Sequence, residues 1–208
     1  KREFTLGHSP DADDAFMFYG LAKDKIDTGD ITFKHYLQDI ETLNHRAALN
    51  ELDITAISVH AYSYVKHHYA ILTAGGSLGM GYGPLVVSKE KYSPEDLKNI
   101  QIAIPGKMTS AYLALRLYMG ADFKYDVVPF DQIIPAIENG RAKAGVIIHE
   151  GQLYFGDKGL HKILDLGEWW GQETGGLPLP LGCNTVKKSL GKATIQMIAP
   201  FMRQTVQY

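Results

Sequence analysis

Little in this sequence advertises a function. There is one cysteine, Cys183, in 208 residues, so an intrachain disulfide is excluded and a reducing compartment fits. No apolar run reaches the roughly 18 residues that a membrane span needs, and the first residues lack the apolar stretch of a signal peptide. Neither sign of charge is in excess: 21 Lys and Arg stand against 23 Asp and Glu, for a formal net charge of -2. The lysines are scattered, so neither nucleic acid nor a membrane surface is expected as a partner. Catalytic signatures are scarce as well. A Walker loop, a G-x-S-x-G elbow and a C-x-x-C pair are all missing, which removes the usual basis for phosphate hydrolysis, ester hydrolysis and thiol redox chemistry. Eight histidines invite a metal reading. However, a zincin helix starting at His149-Glu150 would need histidine where Leu153 stands, and the adjacent His67 and His68 diverge on any regular element. No metal and no cofactor are expected.

What is present is an ordinary globular composition, apolar enough to bury a core and long enough for one large domain or two lobes. Strand and helix signals alternate along it. Phe4–Gly7 reads as a strand, followed by a polar turn and a helix from Ala15 to Lys25. Ile31, Phe33, His35 and Leu37 alternate with polar neighbours, a strand period. A helix over 40–49, a strand over 53–58 and a short helix over 61–66 follow. Gly75 to Gly83 holds five glycines in nine residues without dinucleotide-fingerprint spacing; it reads as a loop or as a crossing between lobes. Ser93-Pro94-Glu95-Asp96 starts a short helix. From 100 to 149 the order is β-α-β-α-β: strands at 100–104, 125–128 and 144–148, helices at 109–119 and 130–139. Beyond them come a strand at 162–166, a tryptophan pair at Trp169 and Trp170, a stiff irregular crossing over Gly175–Gly182, and a helical tail with Pro200 as a kink or break. The chain begins without methionine and ends inside this helical pattern, so a longer C-terminus is expected.

The organising feature is the apolar run Gly145-Val146-Ile147-Ile148, which stops at His149-Glu150. A continuous run suits a strand covered on both faces, and ligands of open α/β sheets bind beyond the carboxyl ends of the strands. His149 is then either a proton-accepting base in a crevice or a strand-end histidine bonded to a loop. Right-handed crossovers put the 105–109 loop on the same edge. There Thr109 and Ser110 either add two hydroxyls to an anion site at a helix N-terminus or cap their own helix. Asp11, Asp13 and Asp14 could hold a cation or serve as helix N-terminal acids.

The segments Gly7-His8-Ser9-Pro10 with Asp14 and Phe16–Tyr19, Asp39–Asn44, Gly83–Val87, Pro105-Gly106 with Thr109, Ile147–Glu150, and Leu177–Gly182 resemble one family in one order across nearly the whole chain. That family is the 1,4-dihydroxy-6-naphthoate synthases of the futalosine route to menaquinone. The resemblance implies a lyase that acts on cyclic dehypoxanthinyl futalosine, is cytoplasmic and needs no cofactor. The implied fold is α/β and two-lobed, like the type II periplasmic binding proteins, each lobe a mainly parallel sheet flanked by helices. Residues 1–83 and 183–208 would form the first lobe and 84–182 the second, with a small carboxylate-bearing substrate between them. By resemblance His149 is the catalytic base. Ser9, Asn44, Ala56, Ile57 and Ser58 would contact substrate from the first lobe, Thr109 and Ser110 from the second. Where family members often carry cysteine, proline and asparagine, this chain has Asp11, Ala12 and Asp13, and a serine stands at 110 in place of threonine. Two other readings share the architecture: chorismate dehydratase of the same pathway, and a non-catalytic solute-binding protein. Oligomeric state is not encoded in any recognisable pattern.

Overall fold

The protein is described by a computed structural model covering residues 1–208. Its chain forms two compact units, Lys1–Ser77 with Gly182–Tyr208, and Leu78–Leu181. The first unit opens with β1 (Arg2–His8), α1 (Ala12–Ala22), β2 (Ile31–Leu37), α2 (Ile40–Ala48), β3 (Ile54–Ser58), α3 (Val59–Val65) and β4 (Tyr69–Gly79). In the second, β5 (Leu85–Ser88), β6 (Ile102–Ile104), α4 (Ser110–Met119), β7 (Tyr125–Val127), α5 (Ile133–Glu138), β8 (Ala144–Ile147), α6 (Gly151–Tyr154), β9 (His161–Asp165) and α7 (Leu166–Thr174) follow. The chain then returns through β10 (Leu179–Lys187) to α8 (Lys192–Gln207).

The first sheet has the order β2-β1-β3-β10-β4 and the second β7-β6-β8-β5-β9. In each, the parallel pairs lie on one side: β1 with β2 and β3, and β6 with β7 and β8. The strands β10 and β5 join antiparallel to β3 and β8. Both sheets bury both faces. Phe18 and Leu21 of α1 pack with Ile198 and Met202 of α8 on one face of the first sheet, and Leu43 of α2 packs with Leu52 and Ala56 on the other. In the second sheet, Leu115 of α4 and Leu166 of α7 join Ile102 and Val146, while Ile133 and Ile137 of α5 cover Ala103 and Ile147. Two-sided burial explains why β8 reads as an uninterrupted apolar run.

Several elements differ from the expectation for physical reasons. The first helix begins at Ala12, because Ala15 N–H already bonds the Asp11 carbonyl at 2.8 Å. Gly75, Gly76 and Gly79 are not a loop; they lie within β4, which has β10 as its neighbour in the sheet. Only Gly81 and Gly83 stay irregular, and Gly83 is there for contact: a methyl group on it would come 2.6 Å from the backbone nitrogen of Gly167. The expected irregular crossing is irregular only to Pro178, and β10 takes over at Leu179. Pro200 does not end the tail helix, which runs through it. The proline removes one N–H bond, but Ile198, Met202 and Thr205 beside it are buried against the first unit's core, and that packing holds the turn together.

Candidate functional site

In the second unit, Ile102 pairs with Ala144 and Ala103 with Gly145, so β6 and β8 are parallel neighbours and the loops leaving both fall on one edge. All four residues of β8 are buried. Gly145 is required there, because a methyl group would lie 2.5 Å from Ile133 Cγ2 of α5. Just past this strand, His149 adopts φ 66, a left-handed conformation rare for a residue with a side chain. The turn is closed by Gln152 N–H to the His149 carbonyl at 3.1 Å and Leu153 N–H to the Glu150 carbonyl at 2.8 Å. The imidazole and the Phe130 ring are T-shaped to each other, with ring centroids 4.8 Å apart. Beside it opens a cavity of about 270 Å3, lined among others by Phe130, Ile134, His149 and Tyr154. Glu138 and Lys158, which also line it, form an ion pair at 3.9 Å.

On the same edge, Thr109 occupies the N-cap of α4. Its hydroxyl accepts from Tyr112 N–H at 3.1 Å and donates to the Gly106 carbonyl at 2.8 Å. The Ser110 hydroxyl donates to the Leu181 carbonyl at 2.6 Å. Each hydroxyl has one proton, and both are given to backbone carbonyls of this chain. Thr109 therefore caps its helix, whereas Ser110 ties the helix start to the chain at Leu181. What the loop presents to an anion is the partial positive charge of the helix N-terminus itself.

In the first unit, β1 and β3 are parallel neighbours, so Ser9, just past β1, and Ser58, the last residue of β3, share an edge. Asn44 of α2 bridges to that edge. Its amide group donates to Ser58 Oγ at 3.1 Å and to Glu41 at 3.2 Å, and its carbonyl accepts from Ser58 N–H at 2.8 Å. Asn44 and Ser58 are thus brought together directly. Ala56 and Ile57 lie in the strand interior, paired with Asn184 and Cys183, and the Ile57 side chain is wholly buried. Any contact they make to a ligand is through the backbone. Ser9 is tied within its own turn: its N–H donates to Asp14 at 2.6 Å, its hydroxyl donates to the Asp11 carboxylate, and it accepts from Asp11 N–H at 3.0 Å. Asp11 and Asp14 therefore shape the Ser9 turn, and no group of acids or histidines has the arrangement of a metal site.

Three contacts were not anticipated from sequence. Phe130 packs on His149, the acids hold Ser9, and His8 bonds His35. Cys183, by contrast, is no candidate nucleophile, since burial pushes its thiol up to about 11 and keeps it protonated at neutral pH. The tryptophan pair belongs to the core of its unit, Trp169 edge-on to Tyr118 at 5.5 Å and Trp170 donating its N–H to the Pro178 carbonyl at 3.2 Å.

A family model described as menaquinone biosynthesis matches residues 4–208. A 1,4-dihydroxy-6-naphthoate synthase of Thermus thermophilus is 38% identical over 203 residues, 98% of this chain and 73% of that relative. A solved structure from Archaeoglobus fulgidus superposes with a TM-score of 0.91 at 43% identity, covering 99% of this chain and 75% of the other. The alkanesulfonate-binding protein SsuA of Xanthomonas axonopodis superposes with a TM-score of 0.73 at 14% identity, covering 99% and 73%. That last likeness concerns the fold alone, which is that of the periplasmic binding proteins.

Proposed function

The chain belongs to the menaquinone biosynthesis family, and on that footing we propose that it is a lyase forming 1,4-dihydroxy-6-naphthoate from cyclic dehypoxanthinyl futalosine. The observation that carries the proposal is the 38% identity, over 98% of the chain, to a synthase of that name. The geometry of the second unit is consistent with it. A strand-end histidine and a helix N-terminus on one sheet edge supply a candidate proton acceptor and a local positive field for a carboxylate. In this reading His149 takes a proton from the substrate as the carbon–carbon bond breaks. Thr109 and Ser110 hold the helix start that receives the carboxylate, and Ser9, Asn44, Ser58 and the backbone of Ala56 and Ile57 contact the remainder. The reaction runs in the cytoplasm without a cofactor, and cell fractionation tests the location.

The deciding experiment incubates the protein with cyclic dehypoxanthinyl futalosine and, separately, with chorismate, and follows the products chromatographically. Formation of 1,4-dihydroxy-6-naphthoate by wild type, lowered about a hundredfold or more in His149→Ala, is the expected result. Turnover of chorismate alone would establish the dehydratase reading instead. Turnover of neither would leave a binding protein.

A further inference from the structure

A pair of histidines in the first unit has no part in the chemistry above, yet its bonds lead straight to Ser9. In the β1–β2 register His8 lies opposite Leu37, so His35, two residues earlier on β2, is its diagonal neighbour on the same face. His8 Nδ1 lies 3.1 Å from the Ser9 carbonyl, and His8 Nε2 lies 2.9 Å from His35 Nδ1. A carbonyl can only accept, so His8 Nδ1 carries a proton. In a neutral ring its Nε2 is then a lone pair, and His35 Nδ1 must donate to it. Burial lowers the proton affinity of both rings, which favours this neutral arrangement. Stacking on Phe18 at 4.7 Å holds the His8 ring in plane. His35 Nε2 is left buried with no partner. That is tolerable for an acceptor and costlier for an N–H, so it agrees with the same tautomer.

Without His35, only the Ser9 carbonyl would bias the His8 ring towards the Nδ1–H tautomer, and nothing would exclude Nε2–H. Donation from His35 removes the choice, and the Ser9 carbonyl then always meets a donor. Asp14 holds the Ser9 N–H and Asp11 its hydroxyl, so with the carbonyl fixed the whole residue has one orientation. We propose that His35 is a positioning residue which, through His8, fixes the Ser9 peptide for substrate. The proposal rests on the reading that Ser9 contacts the lyase substrate. Because Ser9 binds and does not react, losing His35 should weaken binding far more than turnover, the reverse of losing His149.

Nitrogen-15 NMR of the intact, histidine-labelled protein at neutral pH should show both His8 and His35 protonated at Nδ1. In His35→Leu the His8 ring should become a tautomer mixture, with KM raised about tenfold and kcat within about twofold of wild type. His35→Asn, whose amide N–H stands where Nδ1–H stood, should restore both the tautomer and KM. Finding His8 protonated at Nε2 in wild type overturns the proposal. So does an unchanged KM in folded His35→Leu, or a His35→Asn as impaired as the leucine variant. If wild type does not turn over cyclic dehypoxanthinyl futalosine, the lyase reading is what fails. The tautomers of wild type and His35→Leu then still decide whether the pair fixes Ser9.

Discussion

Phe130 presents its ring to His149 at 75°, with centroids 4.8 Å apart, and the histidine it touches sits in a left-handed turn. A residue in that backbone region is held by its surroundings and not by its own preference. Phe130 and the turn therefore set the imidazole together. Phe130→Ala should lower kcat about tenfold with little change in KM, because the proposed base loses orientation while the proposed binding groups stay. The ring–ring contact itself contributes about 1 kcal/mol, so a modest drop in thermal midpoint should accompany the kinetic loss. A variant with full kcat would show that the turn alone positions His149.

Close packing at β8 yields a second test. With Ile133 Cγ2 at 2.5 Å and Ile137 Cδ1 at 3.0 Å from a methyl group at position 145, Gly145→Ala should cost about 1–3 kcal/mol through overpacking. Removing the clashing Cγ2 with Ile133→Ala should relieve part of that overpacking, making the double variant more stable than the sum of the two single changes. Urea titration of the four proteins measures this directly. Strict additivity would mean that α5 shifts freely and that the edge carrying His149 is not anchored through it.

Much of this edge was legible in the sequence because local signals and burial agree there. The run from Gly145 to Ile147 is apolar because both of its faces are covered, and Thr109 with Ser110 marks a helix start by residue type alone. Legibility failed where distant residues decide. Gly75, Gly76 and Gly79 belong to a strand in a sheet whose next member, β10, lies about a hundred residues away in sequence. Pro200 stays helical because Ile198 and Met202 are held by a core built mostly from the other end of the chain. The His8–His35 bond depends on the register of two strands, and the left-handed turn at His149 has no glycine or asparagine to announce it.

Capping at Thr109 makes a prediction in which stability and binding move together. Thr109→Val keeps the shape but loses the bonds to Tyr112 N–H and the Gly106 carbonyl, and should destabilise the protein by about 1 kcal/mol. Fraying of the first turn of α4 would misalign the N–H groups proposed to receive the carboxylate, so KM should rise as well. Thr109→Ser keeps the cap and should match wild type in both respects. A valine variant that is destabilised but keeps its KM would separate the cap from the substrate.

Acid should weaken the first unit through its histidine pair. His35 is held down to about 4 from 6.5, mainly by burial and then by His8, with Asp24 opposing; His8 is also lowered by burial, against the pull of the Ser9 carbonyl. For a base with a lowered folded value, the unfolded chain takes up the proton first. Stability is therefore complete above 6.5, declines as pH falls through the window between 6.5 and about 4, and levels off below it. Carboxylates titrate near about 4, so the comparison is cleanest from pH about 7 to about 5, where histidines dominate. The urea midpoint of wild type should fall across that interval, and that of His35→Asn should fall less, because one of the two suppressed protonation sites is gone. Equal slopes for the two proteins would mean that His35 takes up its proton as readily folded as unfolded. The buried acceptor at its Nε2 would then have to be reached by water or by a movement of β2.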